Sequence, residues 1–173
     1  MRKIAFHLFL WCLCLIAAGS TSDADEFSSV AAGCVPDPVN IQANNYLITA
    51  GSVKHQPNML GDIHLRCPIS IIISKPTQIY MIASSDDVGV LNQKTFVTVK
   101  LNAKSNFDDG AFDAICSAHT DQASQDGTVH FIESPCSLSD DTWNQTRFAW
   151  YLEVMIHRRS TSHIAVFYGV GVH

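Results

Sequence analysis

From residue 147 to residue 157 apolar and polar side chains alternate. Phe148, Trp150, Leu152, Val154 and Ile156 fall on one side, and Arg147, Tyr151, Glu153 and His157 on the other. A period of two is the pattern of a strand with one face in a core. Ile164, Val166, Tyr168, Val170 and Val172 repeat it. The short polar link from Arg158 to Ser162 between the two runs predicts a C-terminal antiparallel β-hairpin.

Earlier runs predict further strands at 46–50, 62–74, 78–83, 95–101, 111–118 and 128–133. The second breaks at Cys67-Pro68, because proline cannot donate to a ladder, and its β-branched continuation, Ile69 to Ile73, suits a central position. Segments rich in Asn, Asp, Ser, Gly or Pro separate these runs at 54–61, 84–89, 102–110, 124–127 and 134–142. Such composition is the chemistry of turns. No long helical period appears. Short strands with turns between them predict an all-β fold, an antiparallel β-sandwich of jelly-roll-like form. An eight-stranded outer-membrane barrel is the architectural rival, yet only the last two segments approach its long alternating strands.

The start of the chain reads differently. Arg2 and Lys3 precede an apolar run from Ile4 to Ala18, and Ala17-Ala18-Gly19-Ser20 supplies small residues for cleavage. This predicts a secretory signal peptide at 1–19 in preference to a membrane anchor, which needs roughly 18 or more apolar residues. Residues 20–33 are small and polar and predict a flexible N-terminal segment, so that 34–173 forms a single β-sandwich domain. No transmembrane segment is expected after the leader.

Composition then sharpens the picture. The whole chain carries 11 Lys and Arg against 16 Asp and Glu, a net charge of -5 that becomes -7 once Arg2 and Lys3 leave with the leader. With no basic run longer than Arg158-Arg159, a nucleic-acid partner is excluded. Cys12 and Cys14 also leave, and Cys34, Cys67, Cys116 and Cys136 remain. An even number in an exported chain predicts two disulfides. Three pairings are open, and the shorter loops favour Cys34 with Cys67 and Cys116 with Cys136.

Candidate chemistry is sparse. Asp86-Asp87, Asp108-Asp109 and Asp140-Asp141 lie in expected loops, where carboxylates and backbone carbonyls can hold calcium, although aspartate is also the ordinary turn residue. Trp143 stands in a polar stretch with Asp140, Asp141 and Asn144, and Tyr151 lies on the polar side of its strand. These five are the candidate ligand-binding residues, for a protein or a glycan surface, because an aromatic ring beside fixed polar groups suits either. The competing expectation is that Trp143 folds back over the start of the strand at Phe148. Asn144-Gln145-Thr146 matches the glycosylation acceptor pattern.

His64, His119, His130 and His157 could meet in the fold, with Asp121 beside His119, yet no metal-site spacing, nucleophile elbow or phosphate loop is present. The sequence predicts a secreted or periplasmic, non-catalytic binding protein that needs no cofactor, calcium being the one candidate ion. A small secreted hydrolase with a His/Asp site is the alternative, and a calcium-assisted carbohydrate-binding module is a further one.

Overall fold

The computed structural model describes residues 27–69, 75–87, 94–105, 111–139, 143 and 148–173. The expected leader, residues 20–26, residues 70–73 of the Ile69–Ile73 run, Asp108, Asp109, Asp140, Asp141 and Asn144 lie outside the described residues.

Eleven strands are described: β1 (Phe27–Val30), β2 (Val35–Pro36), β3 (Tyr46–Thr49), β4 (Ser52–His55), β5 (Gly61–Pro68), β6 (Gln78–Ser85), β7 (Phe96–Ser105), β8 (Ala111–His119), β9 (His130–Pro135), β10 (Phe148–Arg158) and β11 (Ala165–Val172). They form two antiparallel sheets. One has the order β3-β4-β11-β6-β9, with β1 also paired to β11, and the other has the order β2-β5-β10-β7-β8.

Within this arrangement β4 to β11 alternate between sheets at every step except β7 to β8, giving β4-β11-β6-β9 over β5-β10-β7-β8. Eight strands in that order are a jelly roll. The fold class read from the alternation is therefore the one observed. The core lies between the sheets, where Ile63, Leu65, Val97, Val99, Leu101, Leu152, Val154 and Ile156 of one sheet meet Val53, Ile79, Met81, Phe167, Val170 and Val172 of the other.

The expected C-terminal hairpin is corrected. β10 and β11 are both strands, but β10 pairs with β5 and β7 while β11 pairs with β4 and β6 in the opposite sheet. Alternation shows that each strand has one buried face; it does not show whether the next strand lies beside it or across the core. Here the connection 159–164 carries the chain over, so the apolar sides of β10 and β11 both look into the same core. Arg158 holds this crossing. Its guanidinium is buried and donates to the carbonyls of Ser160, His163, Gln56, Met59 and Thr161.

Among the described residues a tight hairpin joins β3 and β4, in a region whose second strand overlaps the expected turn at 54–61. Ala50 and Gly51 both have positive φ, 49° and 83°, the requirement of a two-residue turn matched to strand twist.

The flexible segment expected at 20–33 is corrected over its second half. β1 pairs along β11 from Phe27 opposite Val172 to Val30 opposite Gly169, and Ala31 is fully buried. A strand can add to an edge through backbone bonds whatever its side-chain polarity, so a small polar composition did not reveal it. A short helix, α1 (Pro38–Ala43), was also unread. Asp37 caps it by accepting from Val39 N, Pro38 opens it, and Asn44 ends it in the left-handed region, as caps of these types do.

Both disulfides pair as the loop lengths favoured. Cys34–Cys67 joins the segment before β2 to β5, and Cys116–Cys136 joins β8 of one sheet to the chain leaving β9 of the other.

Candidate functional site

The outer face of the five-stranded sheet follows from parity. With Ile63, Leu65 and Cys67 buried, β5 turns Asp62, His64 and Arg66 outward; β7 turns out Phe96, Thr98, Lys100, Asn102 and Lys104; β10 turns out Tyr151, Glu153, Met155 and His157. Register then sets the rows. Glu153 stands between Arg66 and Lys100, Met155 between His64 and Thr98, His157 between Asp62 and Phe96, and Tyr151 beside Asn102. His119 of β8 lies opposite Thr98.

Bonds within the face fix these groups. Glu153 accepts from Asn102 Nδ2 at 2.7 Å, and His64 Nδ1 lies 3.8 Å from its other oxygen. His157 Nδ1 pairs with the Asp62 carboxylate, and its ring stacks on Phe96 with centroids 5.0 Å apart. Thr98 Oγ1 and His119 Nδ1 are 2.9 Å apart, and burial pushes the pKa of His119 down. The Arg66 guanidinium lies over the Tyr151 ring at 5.7 Å and reaches Asp37 at 4.0 Å. Buried Asn40 of α1 anchors β5 from its edge, donating to Asp62 O and accepting from His64 N. That double bond replaces a strand neighbour where β2 has ended.

The expected site residues separate in space. Tyr151 belongs to this face. Trp143 does not stand in solvent: it is half-buried, packs at 4.5 Å on Trp150 at the inner side of β10, and lies against the core. Asp86 accepts from Ile164 N at 2.7 Å and sits 3.5 Å from His163, whereas Asp87 is buried and accepts from Thr95 N at 2.8 Å. The pair thus ties two different loops. Among the described residues no three His, Cys, Asp or Glu side chains converge as a metal site.

Of the histidines, His64, His119 and His157 share the outer face, each with its own partner. His130 stands apart on β9 beside Asp126, whose carboxyl is held far below its usual range first by bonds from Thr128 and then by His130. Asp121 pairs with Lys94 at 3.8 Å.

Arg66, Lys100 and Asn102 were missed as site residues. Asn102 was read as a loop residue although β7 runs on to Ser105. The available signal was parity: the positions between Ile63, Leu65 and Cys67 are all polar. Register, which aligns them with Glu153, was not legible.

A cavity of about 190 Å3 lies near the β10–β11 crossing, lined by Leu47, Lys54, His55, Pro57, Arg158, Ile164 and Ala165. His55 is buried and donates Nε2–H to Gly61 O, and burial lowers its pKa to about 4. The Arg158 guanidinium at this cavity serves structure, since it is already shared among five carbonyls.

No family model matches the chain, and no curated protein matches it. Solved structures are similar in part. The low-affinity xylan-binding module CBM86 from the gut symbiont Roseburia intestinalis is 14% identical, with 86% of this chain and 94% of that one covered and a TM-score of 0.43. The xylan-binding module CBM15 is 18% identical over 73% of this chain and 80% of its own, with a TM-score of 0.40. A family two carbohydrate esterase from Cellvibrio japonicus is 8% identical over 85% of this chain and 33% of its own, with a TM-score of 0.42. Likenesses at this level leave the reading of the site to its own geometry.

Proposed function

We propose that the protein is a non-catalytic module that binds an extended carbohydrate along the outer face of the five-stranded sheet. One observation carries this reading: on β10, the central strand of that sheet, Tyr151, Glu153, Met155 and His157 alternate ring or apolar groups with polar ones along an outward-facing track. Six steps of about 3.4 Å from Tyr151 to His157 make it roughly 20 Å long, which is the scale of several sugar units. Flat apolar surface suits the C–H face of a sugar ring, and oriented donors and acceptors suit its hydroxyls. Glu153 and His64 supply the second requirement from two adjacent strands, and the buried Asn102 amide beneath them holds Glu153, so these groups are ordered before a ligand arrives.

Catalysis is the weaker reading because the histidines of this face do not converge: each is paired on the sheet, on a different strand. The two disulfides accord with maturation in an oxidising compartment, where glycans are met.

The test is affinity electrophoresis of the mature, oxidised protein through a panel of soluble polysaccharides, neutral and acidic. Retardation by at least one polymer is expected, lost in Tyr151→Ala with an unchanged melting temperature. If no polymer retards the protein, or if Tyr151→Ala binds as the parent does, this face is not a carbohydrate site.

A further inference from the structure

Resting on that reading, we infer that the carbohydrate taken by this face is an anionic one, its sugars bearing carboxylate or sulfate groups. The chain as a whole is acidic, with a formal charge of -5, yet three of its cations, Arg66, Lys100 and Lys104, project from this one sheet face, and all three are exposed. Three described carboxylates stand among them: Asp62 bonds to His157, Glu153 to Asn102 with His64 nearby, and Asp37 reaches Arg66 at 4.0 Å, which leaves the two lysines of β7 as the cations available to a ligand. Among the described residues neither Lys100 nor Lys104 has an ion-pair partner.

Spacing strengthens the point. Arg66 and Lys100 flank Glu153 in one row, two strand separations or about 10 Å apart, and Lys104 lies four residues along β7 from Lys100, about 13 Å away. The cations therefore border both sides of the β10 track instead of clustering at one end, as a polymer with repeated anionic groups requires. Repulsion from acidic surfaces elsewhere is screened beyond roughly 8–10 Å at physiological salt, so the local charges decide the outcome. A neutral sugar can accept a hydrogen bond from an ammonium group, but an anionic one gains the stronger charge-assisted bond.

The experiment compares retardation of the mature protein by polygalacturonate, which carries carboxylates only, by dextran sulfate, which carries sulfates only, and by neutral arabinoxylan and galactomannan. The expected result is at least tenfold stronger binding to one or both acidic polymers, weakened about five- to tenfold in Lys100→Gln/Lys104→Gln and weakened again by added salt. The better of the two acidic polymers identifies the anionic group. Equal or stronger binding to the neutral polymers, or acidic binding unmoved in the double variant, overturns the inference and leaves the carbohydrate reading standing. Retardation by none of the four overturns both. Both lysines are exposed, so the variant is expected to melt as the parent does, which a thermal scan verifies.

Discussion

The two outer faces of the sandwich share one core and differ in almost everything else. On the five-stranded sheet the outward side chains are polar or charged at nearly every row, bonded sideways to one another. On the other sheet Tyr80 is buried against Phe131 at 5.1 Å, Phe131 itself is 59% exposed, and Ile82, Val166 and Tyr168 are half-buried. The polar face has little reason to exist for stability, since exposed ion pairs contribute 0–1 kcal/mol each. The other sheet is extended in its own plane by β1, which pairs along β11. A row of mutually fixed polar groups with no structural duty is the stronger sign of a ligand.

Breaking what both faces share should cost most. Cys116–Cys136 ties the two sheets together, and in the chain-entropy account Cys116→Ser/Cys136→Ser loses about 3 kcal/mol. Chemical denaturation should show it, with both faces affected together. Arg158→Met leaves five carbonyls at the crossing without their donor and should cost about 3 kcal/mol by the same measurement. An unchanged stability would mean that water replaces the guanidinium and that the crossing does not depend on it.

The next effect depends on pH. His55 stays neutral when folded down to about pH 4, whereas an unfolded histidine takes its proton near 6.5. The unfolded state therefore binds more protons between these values, and stability must fall as pH drops from about 6.5 toward 4, by at most about 3 kcal/mol. In His55→Gln, which keeps a donor for Gly61 O and cannot titrate, the difference in unfolding free energy between pH 7 and pH 4.5 should shrink.

Smaller again is the apolar side's own dependence. A Cβ on Gly169 would meet Ser29 O at 3.0 Å, so Gly169→Ala should push β1 away for about 1–3 kcal/mol and raise hydrogen exchange over 27–30 while the polar face is unmoved. Least of all in stability, Tyr151→Ala and Phe131→Ala should each stay within about 0.5 kcal/mol of the parent. Only Tyr151→Ala should lose polysaccharide binding; loss in Phe131→Ala instead would exchange the roles assigned to the two faces.

Much of the fold was legible because burial writes a period of two into the chain. The strands β5, β10 and β11 fall on runs that alternate, and the shorter cysteine loops identified both disulfides. The misreadings have separate physical causes. The hairpin expected between β10 and β11 is incompatible with the jelly roll expected alongside it, since consecutive strands of that fold mostly cross the core; choosing between them needs pairing, which alternation does not encode. β1 and β2 form through backbone bonds and carry no apolar period. Of the two expectations for Trp143, the packed one matches its position, because an indole follows the nearest apolar surface, here Trp150.

Local chemistry along the chain thus settled the kind of element, its buried side and the cysteine pairing, because each depends on residues close in sequence or on loop length. Which strands became neighbours, and therefore which polar residues stand in one row, was decided only by the tertiary structure. Arg66, Lys100 and Glu153 are far apart in the chain, and the register of three antiparallel strands, set by packing of their opposite faces, brings them together.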